Sequence, residues 1–330
     1  MIYPKWLEPG DTIGVTAPSA GIREEKLENF DVSMNHLREN GYNVQETASV
    51  RSGLIASAPG EVRGREFMEL VENDEIDMIY CAAGGEFLIE MLPYLDYEKI
   101  KKHPKWIQGY SDPTSILFSV TTKLDIATIY GGNGGTFGMK TLHLSLEENL
   151  KLWKGELNEQ SSYDKYESEG LEGHDGYNLD TAVEWKTPNG PVCVSGRLIG
   201  GCMDCLMDLI GTPYDHAADF VKRYAEDGTI WYFDVYDMTA ESVYRALLHM
   251  RSAGWLENAR GFIFGRVTFP HSGLNMTYEE AVIRAVGDRI PVILDADVGH
   301  VPPRMTFVNG CMAHVEASDG KGRIRYEWRE

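Results

Sequence analysis

Trp106-Ile-Gln-Gly-Tyr-Ser-Asp-Pro-Thr-Ser-Ile-Leu-Phe-Ser-Val-Thr-Thr-Lys123 is the stretch from which the fold of this chain is read. Trp106, Ile107 and Gln108 read as the end of a short strand. Gly109 permits a tight turn of positive φ. Asp112 and Pro113 make a helix-start signal, Asp as N-cap and Pro at the first helical position. Ile116, Leu117 and Val120 then recur at helical spacing. Ser111 is therefore expected on a sharp strand-to-helix turn, beside unpaired N–H groups and the positive end of a helix dipole. A serine held in that way is a candidate nucleophile. Pro113 stands where the G-x-S-x-G pattern has its second glycine, and a polar serine in an ordinary strand–helix loop is the plain alternative.

The same alternation continues on both sides of this turn. Strands are expected at 12–17, 42–45, 76–81 and 126–130. Helices are expected around Leu27, Phe30, Met34 and Leu37, around Val62, Phe67, Leu70 and Val71, and over 87–92. Strands alternating with helices predict a parallel sheet covered on both faces, a Rossmann-like α/β domain over 1–153. Such sheets place ligands at the C-terminal strand ends, where Gly84-Gly85, Ser111 and the 131–138 glycine run would gather. Between Glu156 and Glu184 nine acidic residues face one basic residue, Lys165, and periodicity is weak. Residues 154–189 thus read as an acidic linker or long loop. A second α/β domain, rich in strands, is expected over 190–330. Its strands fall at 192–198, 229–235, 261–267 and 291–296 and its helices at 202–209, 240–253 and 278–288, with a terminal hairpin around Asp319-Gly320.

Composition narrows the function classes. The 330 residues are 43% hydrophobic and 25% charged, ordinary for a soluble globular protein. A formal charge of −20 argues against a nucleic-acid polymer or an anionic membrane as partner. No apolar run approaches the ~20 residues of a membrane span, and no signal peptide is visible. Five cysteines, an odd number scattered through apolar segments, predict a reduced, cytoplasmic protein.

A serine nucleophile needs a base, and the base needs an orienting acid. Of nine histidines, His300 has the distinctive setting: it follows an apolar strand and lies in Val298-Gly-His-Val-Pro-Pro303. Glycine and two prolines fix that loop, and fixed loops at strand ends carry functional side chains. For the acid, Thr229-Ile-Trp-Tyr-Phe-Asp234 is an apolar strand ending in a carboxylate, which must be paired if buried. Asp237 lies just beyond and reads better as a cap for the following helix. The order Ser111, Asp234, His300 is one of the known triad orders. The 131–138 run lacks the lysine and spacing of a phosphate loop and reads as a wall of the site. Cys202 and Cys205 have metal-like spacing without a second pair, so buried thiols are expected; no metal and no cofactor is required.

Taken together, the motifs resemble one family. Pro9-Gly-Asp-Thr-Ile-Gly-Val-Thr-Ala-Pro-Ser19, Cys81-Ala-Ala-Gly-Gly85, Met91-Leu-Pro-Tyr-Leu-Asp96, Gly109-Tyr-Ser-Asp112, Gly196-Arg-Leu-Ile-Gly-Gly201 and Gly299-His-Val-Pro-Pro303 run in the order found in the LD-carboxypeptidase family of serine peptidases. The resemblance implies a Rossmann-like N-terminal domain, a β-rich α/β C-terminal domain, a Ser-Glu-His triad and a homodimer. It implies Ser111 as nucleophile, His300 as base, and N–H groups of Gly84, Gly85 and Asp112 as oxyanion hole. The family's glutamate falls on Asp234, one methylene shorter. Arg304 follows the two prolines and suits recognition of a free carboxylate, a surface salt bridge being its other reading.

Gly84-Gly-Glu-Phe-Leu-Ile-Glu-Met-Leu-Pro-Tyr-Leu-Asp96 and the acidic stretch resemble the microcin C immunity branch, which acts on small peptides or peptidyl nucleotides. Trp185 is then a candidate stacking surface for an adenine, or a core residue opening the second domain. The murein tetrapeptide carboxypeptidase branch and a degenerate member that binds peptides without turnover are the alternatives.

Overall fold

The computed structural model describes residues 1–168 and 176–328. The chain divides into two compact units, Met1–Leu157 with Thr306–Val308, and Asn158–Met305 with the segment from Asn309. Glu169, Glu172 and Asp175 of the acidic stretch lie outside the described residues.

The first unit runs β1 (Thr12–Thr16), α1 (Leu27–Glu39), β2 (Asn43–Glu46), α2 (Gly60–Glu72), β3 (Met78–Cys81), α3 (Tyr97–Lys102), β4 (Trp106–Gly109), α4 (Thr114–Leu124), β5 (Thr128–Tyr130) and α5 (Leu144–Trp153). Its sheet has the order β13-β5-β4-β3-β1-β2, where β13 (Phe307–Asn309) returns late in the chain. The pairs β1–β2, β1–β3, β3–β4 and β4–β5 are all parallel. All four residues of β3 and of β4 are buried, as expected for strands covered on both faces. In α1 the expected stripe turns inward: Phe30, Met34 and Leu37 are buried. Where an element is expected from the sequence its boundaries fall within a few residues of these, with one exception, while α3 and α5 carry no counterpart in that reading. Residues 87–92 form two 3₁₀ turns, Leu88–Glu90 and Leu92–Tyr94, in place of one helix. Pro93 has no N–H to continue an α-helical ladder.

Helix α4 is buried at every position except Lys123, so it is a core helix rather than an amphipathic one. Its hydroxyls are satisfied inside the protein. Tyr97 donates to Ser119 at 3.0 Å, Thr122 donates to the Phe118 carbonyl at 2.8 Å, and Thr121 and Thr128 share a bond of 2.9 Å. Buried polar groups must be paired in this way.

The second unit comprises β6 (Glu159–Ser161), β7 (Lys165–Tyr166), β8 (Thr181–Ala182), β9 (Val192–Cys202), α6 (Met203–Met207), α7 (Ala217–Arg223), β10 (Thr229–Asp234), α8 (Ala240–Ser252), β11 (Ala259–Gly265), α9 (Tyr278–Val286), β12 (Val292–Ala296), β14 (Met312–Ser318) and β15 (Lys321–Glu327). Seven strands order as β12-β11-β10-β9-β14-β15-β6. The first four run parallel, and β14, β15 and β6 add antiparallel neighbours. The tail hairpin turns at Asp319 and Gly320, with φ of 51° and 78°, the pair of positive angles that a two-residue hairpin needs.

Part of the acidic stretch is built into the second unit. Its β6 forms the edge of the second sheet, with Glu159 opposite Arg325 and Ser161 opposite Arg323. Gln160 between them points inward and its amide donates to the Tyr326 hydroxyl at 2.6 Å. Of the acidic residues in this stretch, Glu159 is the one on the exposed side of β6. Strands β7 and β8 pair with each other.

Candidate active site

In the first unit the parallel strands β1, β3, β4 and β5 end at one edge, and the loops that follow them interlock there. Ala20 N–H donates to the Gly84 carbonyl at 3.0 Å and Gly134 N–H to the Cys81 carbonyl at 2.9 Å. Asn133 accepts from Tyr110 N–H at 3.0 Å and donates to the Tyr110 carbonyl at 3.2 Å. The Tyr80 hydroxyl donates to the Asn133 carbonyl at 2.6 Å. Behind them, Gln108 on β4 is fully buried; it donates to the Gly132 carbonyl at 3.0 Å and accepts from Trp153 Nε1 at 2.6 Å. The glycine run is thus a wall fixed by side chains from the sheet itself.

Ser111 lies on this edge with φ of 66°, in the left-handed region that a non-glycine residue adopts at an energetic cost. That turn lifts the side chain off the backbone between β4 and α4. Gly84 makes room for it: a Cβ there would sit 3.1 Å from the Ser111 Cβ and 3.2 Å from its Oγ. Among the described residues no protein acceptor takes the N–H of Gly84, Gly85 or Asp112. Gly85 has φ of 141°.

Asp112 is not the helix cap expected from the sequence. Helix α4 begins at Thr114 behind Pro113, without a side-chain cap. The Asp112 carboxylate instead accepts from the Ser19 hydroxyl and, at 2.8 Å, from Leu88 N–H. It therefore ties the elbow to the loops after β1 and β3. Burial pushes its carboxyl up to about 6, while the bonds from Ser19 and Leu88 pull it down. The folded value lies above the ordinary 3.8. The group's contribution to stability is therefore full below about pH 4 and is lost as pH rises through about 6. In Asp112→Asn the amide keeps an acceptor but cannot ionise. Between pH 4 and pH 8 the unfolding free energy of the variant is expected to gain on the native chain by up to about 3 kcal/mol. Urea titrations at the two pH values measure the difference; a constant gap would mean that Asp112 titrates as an exposed carboxyl does.

In the second unit β10 ends in Asp234, paired in register with Cys202 at the end of β9. Asp234 is fully buried, and its Oδ2 lies 2.8 Å from His300 Nδ1. The carboxylate's other oxygen accepts from His300 N–H at 3.3 Å. Gly299, with φ of 104°, lets the loop come this close, because a Cβ there would overlap the Asp234 carboxylate. Tyr236 covers the imidazole, ring centroids 4.5 Å apart. The Asp234 side chain thus reaches the imidazole directly. Asp237 is largely exposed and lies 3.9 Å from His271. The cap of α8 is Thr239, whose hydroxyl accepts from Ser242 N–H, and not Asp237.

The His300 loop is held from beneath by a group that the sequence reading did not single out. Asp297 is fully buried, pairs with Arg266 at 2.6 Å and accepts from Trp185 Nε1 at 2.9 Å and from Tyr163 N–H at 3.2 Å. Its carbonyl accepts from Met305 N–H at 2.7 Å, closing the loop. Burial raises the Asp297 carboxyl, and the charge of Arg266 opposes it. Removing one partner of a buried pair strands the other. Asp297→Ala is accordingly expected to cost about 3–5 kcal/mol of stability, read from the urea midpoint; a loss under 1 kcal/mol would show that Arg266 finds water instead.

Trp185 is 1% exposed and its indole is spent on Asp297, so it is a core residue of this unit and offers no stacking face. Arg304 is half-buried and its guanidinium donates to the His300 carbonyl at 3.3 Å. Cys202 is buried and Cys205 half-buried, and neither is in a disulfide. Asp204 between them accepts from the N–H groups of Tyr236 and Asp237, both at 3.0 Å, and so steadies the turn after Asp234. No helix among the described residues is long and apolar enough to cross a membrane.

Comparison with known proteins places both units. Residues 13–131 match the model of the LD-carboxypeptidase N-terminal domain and residues 195–315 that of the LD-carboxypeptidase C-terminal domain. The chain is 27% identical to the putative carboxypeptidase YocD of Bacillus subtilis, over 98% of each chain. It is 25% identical to the microcin C7 self-immunity protein MccF of Escherichia coli, over 94% of this chain and 92% of that one. A solved structure of MccF with aspartyl sulfamoyl adenosine has a TM-score of 0.83, covering 99% of both chains at 23% identity.

Proposed function

Because the chain belongs to the LD-carboxypeptidase family of serine peptidases, a family of hydrolases, we propose that it cleaves the amide of a small peptide or peptidyl nucleotide with Ser111, His300 and Asp234 as its catalytic residues. The observation that carries this reading is the 2.8 Å contact between His300 Nδ1 and the buried Asp234 carboxylate. It leaves His300 Nε2 to act as base, with the imidazolium that forms stabilised on its Nδ1 side. The left-handed turn at Ser111 supports the same reading.

Ser111 Oγ attacks the scissile carbonyl as its proton passes to His300 Nε2. The N–H groups of Asp112 and of the Gly84–Gly85 pair receive the oxyanion. His300 returns the proton to the departing amine, and water then hydrolyses the acyl-serine by the same route. Labelling with a fluorophosphonate tests the nucleophile: stoichiometric modification of Ser111 is expected, and an unlabelled Ser111 in folded protein overturns the assignment.

The substrate class is the microcin C immunity type, a peptidyl or aminoacyl nucleotide, with a homodimer as the assembly. The whole-length likeness to MccF supports the first. A panel setting a peptidyl nucleotide against a murein tetrapeptide decides it, faster turnover of the tetrapeptide pointing to peptidoglycan recycling. Sedimentation of the purified chain reads the assembly, and a monomer at micromolar concentration would remove the dimer.

Arg304, anchored on the His300 carbonyl, would grip a free carboxylate. Arg304→Ala is expected to lower kcat/KM roughly 10- to 100-fold on substrates with a free C-terminal carboxylate, the worth of one charged hydrogen bond. Amidated substrates should be nearly unaffected. Equal losses on both would assign Arg304 to holding the loop.

A further inference from the structure

Far from Asp234, on the exposed face where β9 meets β14, three side chains of different chemistry converge. Cys193 lies opposite Glu316, and Ser195 opposite His314, in the antiparallel register. Residues two apart share a face, so all four side chains stand together. The Cys193 Sγ, His314 Nε2 and a Glu316 oxygen all lie within 4.8 Å of one another. Individually, Nε2 is 2.9 Å from Glu316 Oε1 and 3.9 Å from Sγ. Around a tetrahedral zinc ion such ligand atoms stand about 3.4–3.6 Å apart. The two distances to Nε2 differ from these by about half an ångström, and the thiol and carboxylate, within 4.8 Å of each other, must close by up to about 1.3 Å, within the reach of half-buried and exposed side chains.

The outer partners are those a metal site requires. Ser195 Oγ sits 2.8 Å from His314 Nδ1, which fixes the ring and leaves Nε2 facing the thiol and carboxylate. Arg323 Nε holds Glu316 Oε2 at 2.7 Å, and Oε1, which now bonds His314 Nε2, is the oxygen that a metal would take in a monodentate bond. The Ser195, His314, Glu316 and Arg323 ladder is complete without Cys193. The thiol is the one member that the ladder does not use, and it is also the softest donor.

We propose that Cys193, His314 and Glu316 bind a zinc ion, with water as fourth ligand, as a clip between β9 and β14. The thiol yields its proton to solvent as the Zn–S bond forms. The neutral imidazole and one carboxylate complete a charge-balanced set. Sulfur, nitrogen and oxygen donors favour zinc over calcium or magnesium. The clip joins positions 121 residues apart in sequence, so it binds the folded chain and not the unfolded one. It lies nine residues along β9 from Cys202, the partner of Asp234, or about 30 Å at the rise of a strand. Its role is therefore stability and not hydrolysis.

Cobalt(II) titration of the metal-stripped full chain tests this directly. One equivalent is expected to bind with a thiolate-to-cobalt charge-transfer band and tetrahedral visible bands, both bleached by zinc. Cys193→Ser should lose the charge-transfer band, and Cys193→Ser and His314→Gln should each weaken zinc binding at least ~10-fold. Zinc should raise the Tm of the native chain and not of Cys193→Ser. The EDTA-treated protein should keep its hydrolytic rate. Absence of the band, or its persistence in Cys193→Ser, overturns the site; loss of hydrolysis on EDTA restored by zinc overturns its separation from catalysis.

Discussion

Ser111→Ala is expected to lower kcat by roughly 10⁴- to 10⁶-fold, the range seen when a triad serine is removed, while the protein stays folded. The physical case rests on the turn. At φ of 66° both Ser and Ala carry a Cβ, so the substitution leaves the backbone strain unchanged and removes a single oxygen. The packing around the site, including the Asn133 bridge and the Asp112 anchor, does not involve that oxygen. A stability change within about 0.5 kcal/mol is the expectation, checked by thermal unfolding beside single-turnover rates. A variant that retains a tenth of the native rate would mean that another group makes the covalent bond.

The second large effect belongs to Asp234. Asp234→Asn should keep the fold and lower kcat by about 10⁴-fold, because an amide presents the wrong hydrogen-bond pattern to Nδ1 and cannot stabilise the imidazolium. Asp234→Glu is the sharper experiment, since it restores the side chain typical of the family. The structure gives it a direction. Asp234 is fully buried, and Gly299 packs so closely on the carboxylate that not even a methyl group fits between them. An added methylene must push the His300 loop or its own strand aside. A displacement of about 1 Å at a base costs on the order of 10²-fold, so kcat should fall by about that factor. A rise in kcat would instead mark the native chain as a weakened enzyme whose pocket kept room for glutamate. Asp237→Asn, at an exposed position beside His271, should leave kcat unchanged; a loss there with full activity in Asp234→Asn would reassign the acid.

Much of the fold is legible because its signals are local. The stripe of Phe30, Met34 and Leu37, the apolar run of β10 and the Gly109–Pro113 turn are read within a few residues, and they lie where periodicity and turn chemistry put them. The turn between β4 and α4 belongs to this class in its position only: the positive φ expected at Gly109 falls on Ser111, and Asp112 does not cap the helix. The pairing of Asp234 with His300 is half legible. The strand-end carboxylate announces a need for a partner, without naming one 66 residues away.

The alternating α/β plan and the place of the serine turn follow from the sequence, since each depends on the conformational preferences of adjacent residues. Tertiary structure alone decided where the polar side chains spend their hydrogen bonds. Asp112 has the form of a helix cap, yet it accepts from Ser19, 93 residues away. Trp185 has the form of a stacking surface, yet its indole is taken by Asp297, 112 residues on. The acidic stretch has the form of a linker, yet β6 completes a sheet with β15. Cys193 and His314 carry no motif, and only the register of β9 against β14 brings them together. A local pattern specifies a residue's backbone and its capacity to bond; the partner that uses the capacity is set by which strands pair and which surfaces lose their water.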